Sequence, residues 1–308
     1  MRIVFMGTPA FAVPCLQRLI DLGHTVTGVF TQPDKPQGRH GVLTAPPVKV
    51  LAQNYDLPVH QPEKMKDGTA LALLQSAAPD LVIVVAYGKI LPQALLDVPQ
   101  YGCINIHASL LPQLRGAAPI QWSILNGFNE TGVTAMQMDA GLDTGDMLLA
   151  RSLAIDPNET AGALSERLSA LGADVLEETL AALQAGTLTR TPQPADFTYA
   201  PMLSKALSPV DWRRTARQIH DQIRGLSPWP GATANLGGKT VKLHQSALLD
   251  QTSDAAPGTV LAADHRLVVV CGDGVCIEIL TLQAQGKRAM PAADFLRGNP
   301  VAAGDLFS

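Results

Sequence analysis

An asparagine, a histidine and an aspartate in this chain are placed so that they could move an acyl group onto an amine. Asn105-Ile106-His107-Ala108-Ser109-Leu110-Leu111-Pro112 ends an apolar run, Arg115-Gly116 follows, and Gly141-Leu142-Asp143-Thr144-Gly145-Asp146 comes shortly after. When an amine attacks an acyl carbon, the carbonyl oxygen gathers negative charge and the nitrogen must shed a proton. An amide N–H and an imidazolium stabilise the oxygen, and an imidazole beside a carboxylate carries the proton. Residues two apart on a strand share a face, so Asn105 and His107 can converge on one cleft. Flanking glycines let the backbone turn sharply around Asp143. Taken singly, each residue has a plain structural reading: a satisfied Asn-x-His pair, a turn aspartate, and Ser109 as a helix cap. Together they point to catalysis by Asn105, His107 and Asp143. Ser109 is a poor nucleophile candidate, because no Gly-x-Ser-x-Gly elbow surrounds it.

Such a set needs elements to hold it. Arg2 to Met6 predicts a strand stopped by Gly7-Thr8-Pro9, and Phe11, Val13, Leu16, Leu19 and Ile20 then recur at helical spacing. Thr25 to Thr31 predicts a second strand, and Val48 to Tyr55 and Thr69 to Ala77 predict helices. Leu81-Val82-Ile83-Val84-Val85 is continuously apolar, as a strand buried on both faces of a parallel sheet would be. The alternation implies an α/β fold with an open, doubly wound sheet. Ligands of such sheets bind beyond the carboxyl ends of the strands, where Gly7-Thr8-Pro9, Ala86-Tyr87-Gly88-Lys89 and the His107 loop fall. GxGxxG is absent and Pro9 removes a backbone N–H, which disfavours a dinucleotide-dependent dehydrogenase.

Thr160 to Ala185 predicts a long helix, and Thr187 to Ser208, with Pro192, Pro194 and Pro201, predicts a linker. Trp212 to Leu226 has a helical pattern carrying Arg213, Arg214, Arg217 and Arg224. Beyond Pro228-Trp229-Pro230, short β-rich runs at Thr240 to Leu243, Gly258 to Leu261, Leu267 to Cys271 and Val275 to Leu282 predict a small β-barrel. The expected organisation is a domain over 1–186, a linker over 187–208 and a second domain over 209–308.

The 308 residues are 46% hydrophobic and 16% charged, with no apolar run long enough to span a membrane. Met1 to Gly7 lacks the features of a secretory signal, so a cytoplasmic location is expected. Cys15, Cys103, Cys271 and Cys276 are scattered, without CxxC or zinc-like histidine spacing, and read as buried reduced thiols; no metal is expected. From residue 207 onward ten Lys/Arg meet nine Asp/Glu, against 13 and 18 before it. That balance permits a polyanionic partner without demanding one.

The segments from Asn105 to Pro112, Arg115-Gly116-Ala117-Ala118-Pro119-Ile120-Gln121 and Met138 to Asp146 resemble the formyltetrahydrofolate-dependent formyltransferases. Gly7-Thr8-Pro9, Gln32-Pro33-Asp34-Lys35-Pro36, Gly38-Arg39, Pro47-Val48-Lys49, Ala86 to Pro92 and Ser227-Pro228-Trp229-Pro230 narrow the likeness to members acting on charged initiator tRNA. It spans nearly the whole chain. It implies a Rossmann-like first domain holding 10-formyltetrahydrofolate, and a second, OB-like barrel that binds tRNA. It further implies formylation of the methionine amino group on initiator methionyl-tRNA for translation initiation, by a monomer. Asn105, His107 and Asp143 match the catalytic positions. Ser109, Leu110, Leu111 and Pro112 match the folate-contacting stretch, and backbone near Ile90 and Leu91 would meet the pterin.

The stretch from Gln32 to Pro47 is too long for a plain connection. By itself it reads equally as a solvated loop. By resemblance it enters the acceptor end of the tRNA, with Arg39 and Lys35 contacting the nucleic acid, and Lys205 does so from the linker. Two departures stand out: His40-Gly41-Val42 follows Arg39 where relatives are more basic, and Met202 stands where they commonly carry Lys. Alternatives are a formyltransferase for a small amine, such as a nucleotide sugar or glycinamide ribotide, and a non-catalytic folate- or RNA-binding module. The barrel and linker speak against the first, and the intact Asn105, His107 and Asp143 against the second.

Overall fold

The computed structural model describes residues 1–37 and 41–308. The chain forms two compact units: one comprises Met1–Pro119, Thr131–Leu153 and Ser165–Ala200, the other Ile120–Glu130, Ala154–Leu164 and Pro201–Ser308.

In the first unit the strands are β1 (Arg2–Gly7), β2 (Thr25–Phe30), the ribbon β3 (Lys35–Gln37) with β4 (Val42–Thr44), β5 (Val59–His60), β6 (Leu81–Val85), β7 (Cys103–His107), β8 (Arg115–Gly116), β9 (Glu130–Gln137), β10 (Met147–Ala154) and β11 (Tyr199–Ala200). Seven of them form one sheet in the order β10-β9-β7-β6-β1-β2-β5. Helices Val13–Asp21, Pro47–Asn54 and Thr69–Ala77 alternate with its strands, and all five residues of β6 are buried, as their unbroken apolar run requires. The doubly wound α/β expectation is met, with one difference. β9 runs antiparallel to β7, pairing Asn105 with Met136 and His107 with Thr134. The strands β9 and β10 had no counterpart in the periodicity, which runs through a turn-rich stretch there.

The chain order reverses between β1 and β6, which pair in parallel from Ile3–Leu81 to Gly7–Val85. A crevice at the strand carboxyl ends follows from such a reversal. It is tied together at its base: Thr8 Oγ1 donates to Tyr87 O at 3.1 Å, and Gln32 Nε2 reaches the same carbonyl at 3.1 Å.

The second unit contains β12 (Ala232–Leu236), β13 (Lys239–Thr252), β14 (Val260–Ala262), β15 (Leu267–Val270), β16 (Val275–Ala284) and β17 (Met290–Pro291). The first five are ordered β12-β13-β16-β15-β14, and β17 pairs with β16. The last residues join the two edges. Phe307 bridges Leu236 at the end of β12, and Leu306 bridges Thr259 just before β14. Asn235 and Ser308 exchange N–H to carbonyl bonds at 2.6 and 3.0 Å, and Phe307 N–H reaches Gly258 O at 2.9 Å. The sheet therefore closes into the expected small barrel, leaving neither edge unpaired over this stretch. β13 is far longer than the predicted run at Thr240 to Leu243, because register shifts after Leu243 and Leu248 break its alternation.

The predicted helix from Trp212 begins later, at Ala216, and ends at Gly225. Asp211 captures the Arg213 backbone N–H and guanidinium, which folds residues 211–214 into a turn. Thr215 then caps the helix, with Gln218 returning the bond to the Thr215 N–H. Trp212 packs instead into the barrel core, its ring 5.1 Å from that of Phe307. Within the helix Arg224 is buried and donates to Asp221 Oδ1 at 2.7 Å, so this cation faces inward and away from any polyanion. His220 is buried too, between Ser246 Oγ (2.9 Å) and Pro157 O (2.8 Å). Burial holds its imidazole below the ordinary value; Arg224 and Arg217 add to this, while Pro157 O and Asp221 oppose it.

Phe307→Ala should cost the barrel about 3–5 kcal/mol, because the side chain is buried against Trp212 and closes the sheet. Chemical denaturation checks this, and a loss under 1 kcal/mol would mean the closure is not structural. The unfolded chain protonates His220 near its ordinary value of about 6.5 while the fold resists the proton, so stability falls as pH drops below that value. His220→Gln should flatten the fall in melting temperature between pH 7.5 and 5.5; an unchanged slope would contradict it.

Candidate active site

β7 lies beside β6 with Asn105 opposite Val84, and ends at His107 on the carboxyl edge of the sheet. Asn105 and His107 share one face, as the strand period demands. Asp143 arrives by a less obvious route. Met138 follows β9 and donates its N–H to Cys103 O at the start of β7, and the chain then doubles back. Asp139 pins that return by accepting from Gly141 N (3.0 Å) and Thr144 Oγ1 (2.6 Å). Gly145 packs so closely that an added Cβ would lie 1.8 Å from Gln137 O. The fold-back brings Asp143 over the other two residues.

The three predicted catalytic side chains meet. Asp143 Oδ1 accepts from Asn105 Nδ2 at 3.4 Å, and Oδ2 faces His107 Nδ1 at 3.7 Å. The same Oδ2 accepts the Gly116 N–H at 2.8 Å, which fixes the carboxylate. Both the imidazole and the carboxylate are largely shielded, with side-chain exposures of 7% and 12%. His107 Nε2 lies 3.0 Å from Leu114 O. A carbonyl only accepts, so Nε2 carries a proton, and Nδ1 is the nitrogen turned to the carboxylate.

The backbone around the site is strained. Ala86, Leu114 and Asp143 all have φ between +46° and +61°. Each such non-glycine residue costs of order 1–3 kcal/mol and persists only where its surroundings enforce it. Leu114 is held by Thr198, whose Oγ1 accepts the Leu114 N–H at 2.9 Å. β8 pairs in parallel with β11, so Arg115 lies beside Tyr199 and Gly116 beside Ala200. Gly116, at φ +116°, comes so near Ala200 that a Cβ would sit 2.8 Å from its carbonyl oxygen. The first part of the predicted linker is therefore stitched to the turn at Leu114 to Gly116. Thr198, Gln193 and Leu114 carried no signal beyond proline-flanked spacing, and sequence reasoning missed them.

The other predicted site residues fall in different surroundings. Ser109 is fully buried and donates its hydroxyl to Gln113 O at 2.6 Å, so its side chain serves the turn. Leu111 is buried, and its N–H donates to Thr134 Oγ1 at 3.1 Å; Leu110 and Pro112 are half-buried. Ile90 is exposed, while Leu91 lies in the core of the first unit. Lys35 is exposed and donates to Gln32 Oε1 at 2.8 Å. Lys205 and Met202, in the second unit, are exposed as well. Arg39 lies outside the described residues. The four cysteines are buried and free, and burial pushes the thiols of Cys15, Cys103 and Cys271 up to about 12. Among the described residues no group of three or more His, Cys, Asp or Glu is placed to hold a metal ion, and no helix is long and apolar enough to cross a membrane.

Residues 1–180 match the family Formyl transferase, and residues 202–300 match Formyl transferase, C-terminal domain. Over 300 residues the chain is 51% identical to the methionyl-tRNA formyltransferase of Geobacter sulfurreducens, covering 97% of this chain and 94% of that protein. It is 50% identical over 304 residues to the methionyl-tRNA formyltransferase of Acidobacterium capsulatum, covering 98% of each. Among solved structures, WlaRD, a sugar 3N-formyl transferase, superposes with a TM-score of 0.70 at 17% identity, over 94% of this chain and 99% of that one. The N-formyltransferase from Helicobacter canadensis superposes at 0.69 with 18% identity, over 92% and 98%. At such low identity the two structures speak to the fold alone.

Gly145→Ala should destabilise the first unit by about 1–3 kcal/mol, since the Asp143 loop must lift off Gln137 to admit a methyl group. Thermal unfolding measures this, and a variant as stable as the parent would refute the close approach.

Proposed function

Because the chain belongs to the formyl transferase family, we propose that it transfers a formyl group from 10-formyltetrahydrofolate to the amino group of methionine on initiator methionyl-tRNA, for translation initiation. The observation that carries this reading is the near-full-length identity of about half to methionyl-tRNA formyltransferases. The meeting of Asn105, His107 and Asp143 supplies the chemistry.

As the methionine amine attacks the formyl carbon, negative charge gathers on the formyl oxygen. Asn105 Nδ2 stabilises it by exchanging its long 3.4 Å contact with Asp143 for the oxygen, an interaction worth roughly 3–4 kcal/mol for a well-placed donor. With Nε2 committed to Leu114 O, Nδ1 is the edge of His107 left for proton transfer. It takes the proton the amine loses and passes it to the folate nitrogen as the carbon–nitrogen bond breaks. Asp143, facing Nδ1, stabilises the imidazolium between those two events.

The remaining assignments belong to the same proposal. Ser109, Leu110, Leu111, Pro112 and the backbone near Ile90 and Leu91 line the folate site; for Ser109 too the contact comes from backbone, since its hydroxyl is used in the turn. Arg39, Lys35 and Lys205 contact tRNA. The catalytic domain spans 1–186 and the tRNA-binding barrel 209–308, joined by 187–208, in a cytoplasmic monomer.

Purified protein given 10-formyltetrahydrofolate should formylate charged initiator tRNA far faster than any free amino sugar, and equal or reversed rates would overturn the reading. His107→Ala should lower turnover at least a hundredfold while its melting curve stays close to the parent's. A mild loss of turnover would reduce His107 to a structural residue.

A further inference from the structure

Gln193 sits in the proline-flanked stretch Thr191-Pro192-Gln193-Pro194, which by sequence is only linker. In the fold its amide is fully engaged. Nε2 donates to Asp143 O at 2.9 Å and to Gly145 O at 2.7 Å. Oε1 accepts from Arg115 Nε at 2.9 Å and from Arg115 Nη2 at 2.7 Å. The orientation of the amide is unambiguous, because carbonyls need its N–H groups and a guanidinium needs its oxygen. Arg115 is itself buried and fixed, its guanidinium 4.3 Å over the Phe197 ring. Asp143 is thus gripped twice from one turn. The Gly116 N–H holds its carboxylate, and Arg115, acting through Gln193, holds its backbone in the left-handed conformation.

We propose that Gln193 is a positioning residue for the transfer reaction: by bridging Arg115 to the carbonyls of Asp143 and Gly145, it sets the Asp143 carboxylate against His107 and Asn105. This rests on the catalytic role proposed above for Asp143. The strained loop has no other polar side chain on the Asp143 carbonyl among the described hydrogen bonds, so loss of the bridge leaves the carboxylate held only by the Gly116 N–H and the long Asn105 contact and lets it shift relative to the imidazole. Misplacement of a catalytic group by about 1 Å costs on the order of a hundredfold in rate.

The test compares Gln193→Met, Asp143→Asn and the double variant in the full-length protein, with tRNA formylation as readout. Gln193→Met keeps the side-chain length and removes every hydrogen bond. It should lower kcat ten- to a hundredfold and leave the KM for 10-formyltetrahydrofolate within twofold. In the Asp143→Asn background it should lower kcat no further, because both changes act on the same carboxylate. Gln193→Glu is the second variant should the first be poorly folded. It keeps the pairing with Arg115 but sets an oxygen against the two carbonyls, and should show the same loss of kcat. Parental kcat in folded Gln193 variants, or a loss that multiplies with that of Asp143→Asn, would overturn the inference. Parental kcat in Asp143→Asn alone would instead remove the role of Asp143, a different failure that the single variant identifies.

Discussion

A single carboxylate, that of Asp143, organises the site. It is fixed from below by the Gly116 N–H, touched by the Asn105 amide, and turned toward the one imidazole edge of His107 that Leu114 leaves open. The proposed transfer asks little of this frame: only the long Asn105 contact is exchanged for the formyl oxygen, while the carboxylate and the imidazole keep their other partners. The backbone distortions at Leu114 and Asp143 are balanced by the hydrogen bond that Leu114 donates to Thr198 and the one that Asp143 accepts from Gln193.

The sheet explains why such distant segments meet. Parallel pairing of β1, β6 and β7 brings three loops to one edge, and the reversal of chain order between β1 and β6 leaves a crevice there. The antiparallel β9 does something that a further parallel strand would not. It runs back alongside β7, so the loop that follows can fold across the face carrying Asn105 and His107. The segment around Thr198 and Ala200 completes the enclosure by pairing with Arg115 and Gly116.

Much of this was legible in the residues themselves. Leu81 to Val85 could only be a strand covered on both faces, and Asn105 and His107 had to share a side once their strand was recognised. Glycine-framed Asp143 announced a turn, though not that the turn would reach back over β7. What stayed hidden depends on long-range partners. Gln193 looks like any polar residue between prolines, and its meaning comes from two carbonyls and a guanidinium far away in sequence. Leu114 has a conformation that its own side chain disfavours, so local propensity argues against the structure found. The helix at Ala216 began later than its periodicity indicated because Asp211 diverted the first turn onto Arg213. The length of β13 was masked by irregularities that interrupt alternation.

The stave that completes the second unit's barrel, residues 305–308, is also made after every strand it joins. On a ribosome, β12 to β16 can emerge and begin to pair, but the cylinder stays open until synthesis has passed Ser308. During that interval the apolar interior later filled by Phe307 faces water, and two strand edges remain able to pair with the wrong neighbour. Slow translation of the codons for residues 305–308 would therefore lengthen the period in which this unit stays open to such mispairing.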